Sequence, residues 1–379
     1  MATYLDYNAS TPIHPDVLDA MMMAYKNEYG NADSRTHGFG EKSKQAVENA
    51  RRSLAKLLNV SNTEVFFTSG ATESDNIAIL GLKEYAKEIG KKHIITTSIE
   101  HKAVLEPIKK LQTDGFDITF LSPDKSGSIK AIDVVNSIRD DTFLVSIMHA
   151  NNETGIIQPV KTIGDYLDDK NILFHIDAAQ SFGKLVTELQ KVRYDLLSVS
   201  AHKMYGPQGV GALVLKKKRY RLPPVHPIML GGNQEHGLRP GTLPTALIVG
   251  FGKAAELAIR NYSEYWESYL ANKQRIIELL NQSNVQFEIN GDQNLCMPNT
   301  LNVSFLGVNS EALMLASRDY CGVSNGSACN SESYKPSYVL SSMGIDNNYI
   351  EAAIRMSWGY NSISENDFEQ FINAVKSLQ

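Results

Sequence analysis

The feature that most constrains the fold of this 379-residue chain is a series of short apolar runs between residues 65 and 215. Each run has the length of a β-strand, and most are separated by segments of helical length and pattern. Near-continuous apolar strands that alternate with helices favour a mostly parallel sheet buried between helices. The seven predicted strands are Val65–Thr68, His93–Thr97, Ile118–Leu121, Phe143–Met148, Ile172–Ile176, Leu196–Ser200 and Ala212–Leu215.

The pattern changes near Leu243, where a helical stretch begins that continues to about Asn281. Two strand-like pieces, Thr300–Phe305 and Ile354–Trp358, follow among shorter helical segments. We therefore predict an α/β chain with a large domain over residues 13–255 and a smaller α+β domain built from residues 1–12 and 256–379. The other predicted helices are Glu41–Leu58, Asp75–Ile89, Val160–Leu167, Ser310–Arg318, Ser337–Met343 and Glu365–Leu378.

Charge and composition exclude several classes of function. The net charge is −5, and the basic run at residues 216–221 is better interpreted as a solvated turn than as a nucleic-acid patch. The N-terminus lacks the features of a signal peptide, and no apolar run approaches the ~20 residues that cross a bilayer. Three cysteines form an odd and sparse set, which is typical of a reducing compartment. We expect a cytoplasmic protein that binds neither membrane nor nucleic acid directly, and no metal site is predicted.

Two polar residues follow neighbouring predicted strands and define the expected chemistry. Lys203 comes shortly after the strand that begins at Leu196, and Asp177 lies at the tip of the strand before it. A lone lysine near glycines is often only part of a surface turn. Pyridoxal phosphate, however, needs a lysine for its Schiff base and an acidic partner that keeps its ring nitrogen protonated. The pair at two adjacent strand ends therefore predicts a pyridoxal-phosphate site.

The segment Thr68–Ser74 leaves a predicted strand and enters a helix. Backbone N–H groups at such a helix start, together with the helix dipole, bind anions. Helix capping alone would explain the composition of this segment. In company with Lys203 a phosphate site is the better interpretation, with Ser200 and His202 as additional donors.

His101 and residues 151–155 also follow predicted strands. The imidazole of His101 could stack on a pyridine ring and move protons, although a capping or core histidine is the simpler interpretation of this residue alone. The amides of Asn151 and Asn152 suit hydrogen bonds to a cofactor or substrate, and a plain turn explains them equally well.

In this order and spacing, the motifs resemble those of cysteine desulfurases, which have the class V aminotransferase-like fold, the type I fold of pyridoxal-phosphate-dependent transferases. The resemblance covers nearly the whole chain. The segments that carry it are Leu5–Pro12, Thr68–Ser74, Glu100–Val104, Asn151–Gly155, Asp177–Gln180, Ser200–Pro207, Gly237–Thr242 and Gly326–Cys329.

The resemblance implies a role for each matching residue. Lys203 would hold the cofactor as a Schiff base, Asp177 would pair with the ring nitrogen, and His101 would stack on the ring. Arg355 would bind the carboxylate of the substrate cysteine through its bidentate fork. Thr242 would reach the phosphate of the other subunit, which implies a homodimer. The remaining expected contacts to cofactor or substrate are Ala71, Thr72, Asn152, Gln180, Ser200 and His202.

Cys329 distinguishes this family from others with the same fold. It lies in Ser324–Ser331, a small and polar stretch that predicts a loop. An incidental surface thiol would be the default interpretation, but the resemblance implies a nucleophile that removes sulfur from cysteine and keeps it as a persulfide, leaving alanine. His101 would accept the thiol proton. Cys296 and Cys321 have no such context.

Several functions remain open at this point. The sulfur acceptor could belong to iron–sulfur cluster assembly or to DNA phosphorothioate modification, and the sequence does not decide between these partners. A selenocysteine lyase or another β-lyase is an alternative enzyme with the same fold. A sulfur-transfer scaffold with incidental catalysis is the alternative of a different class, and retention of Lys203, Asp177, His101, Arg355 and Cys329 argues against it.

Overall fold

The computed structural model describes residues 2–326 and 336–379. Strands form three sheets, one large and two small. The strands are β1 (Thr3–Tyr4), β2 (Val65–Thr68), β3 (His93–Thr97), β4 (Asp117–Leu121), β5 (Thr142–Ser146), β6 (Leu173–Asp177), β7 (Leu196–Ser200), β8 (Gly211–Leu215), β9 (Phe287–Ile289), β10 (Thr300–Phe305), β11 (Cys321–Gly322) and β12 (Ala353–Ser357).

Helices cover the large sheet and complete the smaller part of the chain. They are α1 (Pro15–Asn27), α2 (Gly38–Leu58), α3 (Ala71–Leu80), α4 (Lys83–Glu88), α5 (Lys102–Thr113), α6 (Ala131–Asn136), α7 (Val160–Leu167), α8 (Val186–Leu189), α9 (Thr245–Gln282), α10 (Ser310–Ser317), α11 (Tyr338–Ser342), α12 (Asn347–Glu351) and α13 (Glu365–Leu378). Within the described ranges, none of these helices is long and apolar enough to cross a membrane.

The large sheet has seven strands in the order β2-β8-β7-β6-β5-β3-β4. All neighbours pair in parallel except β8, which runs antiparallel to both β2 and β7. The predicted α/β fold with a mostly parallel, seven-stranded sheet is therefore confirmed. Parallel strands end at the same edge of a sheet, so the loops that follow β3, β5, β6 and β7 converge there.

Alternation along the strands explains why both faces of this sheet are buried. Phe174 and Ile176 of β6 pack on one side with residues of α2 and α9. Leu144 of β5 and Leu196 of β7 pack on the other side with α3 and α5. Because successive side chains of a strand point to opposite faces, strands that are apolar at nearly every position can be covered by helices on both sides.

A second core surrounds the antiparallel sheet β12-β10-β9. Leu5 of the N-terminal segment is fully buried in this core, and β1 pairs with β11. Helix α9 connects the two cores, since Phe251 near its start packs in the large core and Ile276 near its end packs in the small one. The division into residues 13–255 and residues 1–12 with 256–379 stays a prediction, and its boundary falls within α9.

One local prediction was wrong, and several elements were not predicted. The helix predicted over Asp75–Ile89 is two helices that break at Gly81, where a Cβ would lie 2.6 Å from the carbonyl oxygen of His226. The backbone at His226 approaches so closely that position 81 requires glycine. Helix α1 and strand β9 are among the elements that were not predicted. Both lie where the apolar pattern is short or mixed with charged residues.

Candidate active site

A cavity of about 470 Å³ opens at the edge where the parallel strands end. This volume lies within the range of about 300 to 1,000 Å³ typical of small-molecule sites. Thr242, which was predicted to act across a subunit interface, is exposed and does not line the cavity of its own chain. Cys329 lies outside the described residues. The sequence-predicted residues that line the cavity are Ala71, Thr72, His101, Asn152, Asp177, Gln180, Ser200, His202, Lys203 and Arg355.

Lys203 reaches the cavity from a single turn of 3₁₀ helix directly after β7. Its ammonium group donates hydrogen bonds to the backbone carbonyls of Asn8 and Ala9, at 2.5 and 2.7 Å. The side-chain amide of Gln180 also donates to the carbonyl of Asn8, at 2.9 Å. The N-terminal segment therefore forms one wall of the cavity and orients two of the predicted site residues.

Asp177 is the last residue of β6 and is 7% exposed. Burial and, to a lesser extent, the neighbouring Asp75 raise the pKa of its carboxyl to about 6, whereas the backbone N–H of Ala179 opposes the rise. That N–H donates to Oδ1 at 2.9 Å. A buried carboxylate with so little compensation is suited to bind a cationic N–H group of a ligand.

The segment before α3 has the geometry of an anion site. Helix α3 begins at Ala71, two residues after the end of β2, so the free N–H groups of its first turn face the cavity end of the sheet. A Cβ at Gly211 of β8 would lie only 2.6 Å from the Cα of Gly70. Glycine at position 211 is thus required for the close approach that holds this turn in place.

Two side chains adjust the charge of the anion site. Glu73 accepts hydrogen bonds from the N–H of Ser69 at 2.5 Å and from Arg239 at 2.8 Å, so its charge is already balanced. Burial lowers the pKa of His202 to about 4, helped by Lys203 and Lys184. His202 is therefore neutral near pH 7 and offers a hydrogen-bond donor without competing for a proton.

His101 is the N-cap of α5 and lines the same cavity. Its Nδ1 accepts the backbone N–H of Ala103 at 3.1 Å. Burial lowers the pKa of the ring, although Asp177 opposes this. The neutral ring consequently carries its proton on Nε2, since the lone pair of Nδ1 is engaged in the cap. In this arrangement His101 presents a donor, and the predicted role as a proton acceptor would require the loss of the capping bond.

Arg355 comes from β12 of the small sheet and is 6% exposed. One end of its guanidinium donates to Asp6 Oδ1 at 2.5 Å, and Nη1 donates to the carbonyl of Asn152 at 3.1 Å. Its buried Nε has no hydrogen-bond partner among the described residues. The fork is thus rigidly placed and retains donor capacity for a carboxylate.

The sequence did not identify Asp6 or Glu153 as functional. Asp6 lies in the quoted N-terminal motif, which was the one available signal. Burial raises the pKa of Glu153 to about 7, and its Oε2 accepts the hydroxyl of Ser337 at 2.5 Å. A Cβ at Gly326 would lie 1.9 Å from the same oxygen. Glu153 therefore lies against Gly326 and Ser337, one on each side of residues 327–335.

The polar groups of the cavity fit pyridoxal phosphate. Asn152 Oδ1 and Gln180 Oε1 are buried and, within residues 2–326 and 336–379, have no hydrogen-bond partner. Unpaired buried polar atoms cost stability and are rare unless a ligand completes them. The anion site, Lys203 and Asp177 supply the phosphate, aldehyde and ring-nitrogen partners that this cofactor needs.

An α/β protein with a lysine, an aspartate and an anion site at the carboxyl edge of its sheet has the arrangement of a type I pyridoxal-phosphate enzyme. The chain belongs to the class-V aminotransferase family, whose model matches residues 3–371. Members of this family depend on pyridoxal phosphate, which agrees with the cofactor predicted from the sequence.

Known proteins that resemble this chain narrow the class. The chain is 45% identical over 363 residues to cysteine desulfurase IscS of Anaeromyxobacter dehalogenans, covering 96% of this chain and 89% of that protein. A solved NifS-like protein superposes with a TM-score of 0.90 at 36% identity, covering 100% and 99% of the two chains. The structure of SspA in complex with cysteine gives 0.83 at 37% identity, covering 95% and 100%. The predicted resemblance to cysteine desulfurases is thus confirmed.

Proposed function

We propose that this chain is a pyridoxal-phosphate-dependent cysteine desulfurase that converts L-cysteine to L-alanine and retains the sulfur as a persulfide on Cys329. The observation that carries the proposal is the convergence of Lys203, Asp177 and Arg355 on one cavity. The first two match the needs of the cofactor, and the third matches the carboxylate of an amino acid.

When bound, pyridoxal phosphate supplies an electron sink that weakens the bonds to the α-carbon of the substrate. Lys203 would hold the cofactor and then move the α-proton with its amine. Arg355 would fix the substrate carboxylate, and Asp177 would hold the ring nitrogen protonated. His101 would place its Nε2–H against the reacting groups from the start of α5.

The sulfur step needs no external oxidant. The substrate C–S bond breaks, an S–S bond forms with the thiolate of Cys329, and alanine leaves, so that cysteine plus thiol gives alanine plus persulfide. Burial raises the pKa of Cys321 to about 12 and also raises the pKa of Cys296. Neither thiol would be ionised near neutral pH, which supports Cys329 as the nucleophile.

A homodimer is part of the proposal. Thr242 is exposed and does not line the cavity of its own chain, as expected of a residue that serves a partner subunit. The segment before it is firmly held, because Glu235 forms two hydrogen bonds of 2.8 Å with Arg51 and accepts the N–H of Phe67. A second copy of this chain would bring Thr242 to the phosphate. Gel filtration of the wild type and of Thr242→Arg tests this contact, because a bulky charged side chain at this position should weaken the dimer.

The persulfide implies a sulfur-acceptor protein. Iron–sulfur assembly and DNA phosphorothioate modification are the two acceptor systems that the sequence suggests. Persulfide transfer to purified acceptors of each kind distinguishes them.

The direct test mixes protein loaded with pyridoxal phosphate with L-cysteine and measures alanine, while mass spectrometry maps persulfide on the three cysteines. We expect alanine, with persulfide on Cys329. Cys329→Ala should abolish persulfide and alanine formation, and Cys296→Ala is the matched control that should retain both. No alanine from the loaded protein, or unchanged turnover in Cys329→Ala, would refute the proposal.

A further inference from the structure

Asp75 is a carboxylic acid with no exposed surface, and none of the roles above uses it. It belongs to α3, the helix whose first turn forms the anion site. Its Oδ1 lies 3.4 Å from Nε2 of His175 in β6. His175 precedes Asp177 by two residues, so both side chains emerge on the same face of the strand. Asp75 therefore covers the face of the sheet from which Asp177 reaches the cavity.

The surroundings of Asp75 are polar but uncharged. His175 Nδ1 is 2.8 Å from the hydroxyl of Ser146, and its Nε2 is 3.0 Å from the hydroxyl of Ser198. Ser198 stands opposite Asp177 in the register of β6 and β7. Burial lowers the pKa of His175 to about 4, so the ring is neutral and provides no counter-charge.

An ionised Asp75 would be an uncompensated buried charge. Within the described ranges, neither of its oxygens has a hydrogen-bond partner of good geometry, although the hydroxyl of Ser198 is close enough to favour ionisation slightly. Burial raises the pKa of Asp75 to about 7. The other acid that faces this region is Glu100, and burial raises its pKa to about 8. Asp75 and Glu100 both keep their protons below neutral pH.

Asp177 is the member of this acidic group with compensation for a negative charge. It accepts the N–H of Ala179 at 2.9 Å, whereas neither oxygen of Asp75 has such a partner within the described residues. Two neighbouring carboxyl groups in a buried site do not ionise independently, and the pair releases its protons in two steps. The better compensated group carries the charge first.

We propose that Asp75 is a positioning residue that retains its proton and thereby directs the single negative charge of the Asp75–Asp177 pair onto Asp177, where the ring nitrogen of the cofactor would bind. This inference rests on the proposed function, because it assigns the ring to Asp177. Above neutral pH Asp75 loses its proton, and a second negative charge then acts on the bound ring.

The test compares Asp75→Asn with the wild type, since asparagine has the same shape and no proton to lose. The visible absorption of bound pyridoxal phosphate is recorded from pH 5.5 to 9. We expect an inflection near neutral pH in the wild type that Asp75→Asn lacks. Asp195→Asn is the matched control, because Asp195 is also a buried aspartate whose pKa is raised by burial but lies at the opposite ends of β6 and β7.

Thermal unfolding of the same proteins gives an independent measurement. A carboxyl whose pKa is raised by folding costs stability as pH rises from its unfolded pKa to its folded pKa. The Tm of Asp75→Asn should therefore exceed that of the wild type by a margin that widens from about pH 4 to about pH 7 and is constant above. Asp75→Ser serves the same purpose if the asparagine variant does not fold.

The outcomes separate the two proposals. An inflection that persists in Asp75→Asn, or a Tm margin that does not change with pH, overturns the role of Asp75 alone. Failure of the wild type and of Asp195→Asn to bind pyridoxal phosphate overturns the proposed function, and the inference with it.

Discussion

Charged side chains are arranged differently at the two edges of the large sheet, the amino edge where its parallel strands begin and the carboxyl edge where they end. At the amino edge, Arg139 bonds with Asp117 and Asp141 at 2.9 Å in an exposed network, and Lys92 adds a contact of 3.1 Å. At the carboxyl edge, Asp177 is buried and forms no salt bridge within residues 2–326 and 336–379. Pairing at the amino edge holds the pKa of Asp117 below its usual value, whereas burial raises the pKa of Asp177. The carboxyl edge therefore carries bonding capacity that only a ligand can complete.

Among the substitutions at the carboxyl edge, replacement of Lys203 should reduce activity the most. Lys203→Ala removes the amine that would hold the cofactor and move the α-proton, so alanine formation should fall by at least about 10³-fold. The visible absorption that marks covalently held cofactor should be lost as well. Lys92→Ala, at the amino edge, is the control that should leave both unchanged. Activity within tenfold of the wild type in Lys203→Ala would remove Lys203 from the mechanism.

Arg355→Lys keeps the charge of the substrate site but loses the planar fork. The two donors of a bidentate contact cannot be reproduced by an ammonium group, so KM for cysteine should rise about 10- to 100-fold with a smaller change in kcat. Steady-state kinetics measure the split. Arg139→Lys makes the same exchange at the amino edge and should leave KM unaltered. An unchanged KM in Arg355→Lys would mean that the carboxylate binds elsewhere.

The pH dependence of cofactor affinity follows from Asp177. Its pKa is raised to about 6, and the protonated acid cannot accept a ring N–H⁺. Affinity for pyridoxal phosphate should therefore fall by up to about tenfold per pH unit as the pH drops below this value. Equilibrium binding followed by fluorescence measures this curve. Asp177→Asn should bind the cofactor weakly at every pH, without a fall in affinity at low pH. If the affinity of this variant still fell below about pH 6, the titrating group would be a residue other than Asp177.

The buried Glu100, also at the carboxyl edge, should make the stability of the folded protein depend on pH. Burial raises its pKa to about 8, so the folded protein loses stability as pH rises from about 4.5 towards 8. Glu100→Gln should preserve the hydrogen bonds that Oε1 accepts from Thr97 and Met148, at 2.6 and 3.0 Å. Its Tm should exceed that of the wild type by several degrees at pH 8 and by little at pH 5. Equal margins at both pH values would contradict the buried, protonated state.

The sequence was sufficient to predict the strands that form the carboxyl edge, but it was insufficient to predict which acidic residues are buried there. Strands β2, β3 and β7 have the predicted bounds because their apolar runs end abruptly at polar or glycine residues. Lys203 and Asp177 could be placed since each directly follows such a run. Asp75 could not, because a carboxylate in a helical segment usually faces solvent, and its burial depends on how α3 packs on the sheet.

Side-chain contacts between residues that are distant in the chain could not be predicted from the sequence either. The contact of Asp6 with Arg355 joins residues at opposite ends of the sequence, and no periodic pattern indicates it. The same holds for Glu153 and Ser337, whose bond forms only when the loop after β5 meets the start of α11. Such pairs arise from tertiary packing, which local patterns do not encode.

The smallest effect is expected at the amino edge, where Arg139→Ala removes the centre of the exposed ionic network. Solvent screens these charges, and water replaces the lost hydrogen bonds at little cost. The Tm should change by about 1 °C or less, the effect should vanish at high salt, and alanine formation should equal that of the wild type. If Arg139→Ala reduced activity, the two edges would be coupled through the strands, and the carboxyl edge could no longer be treated as an independent site.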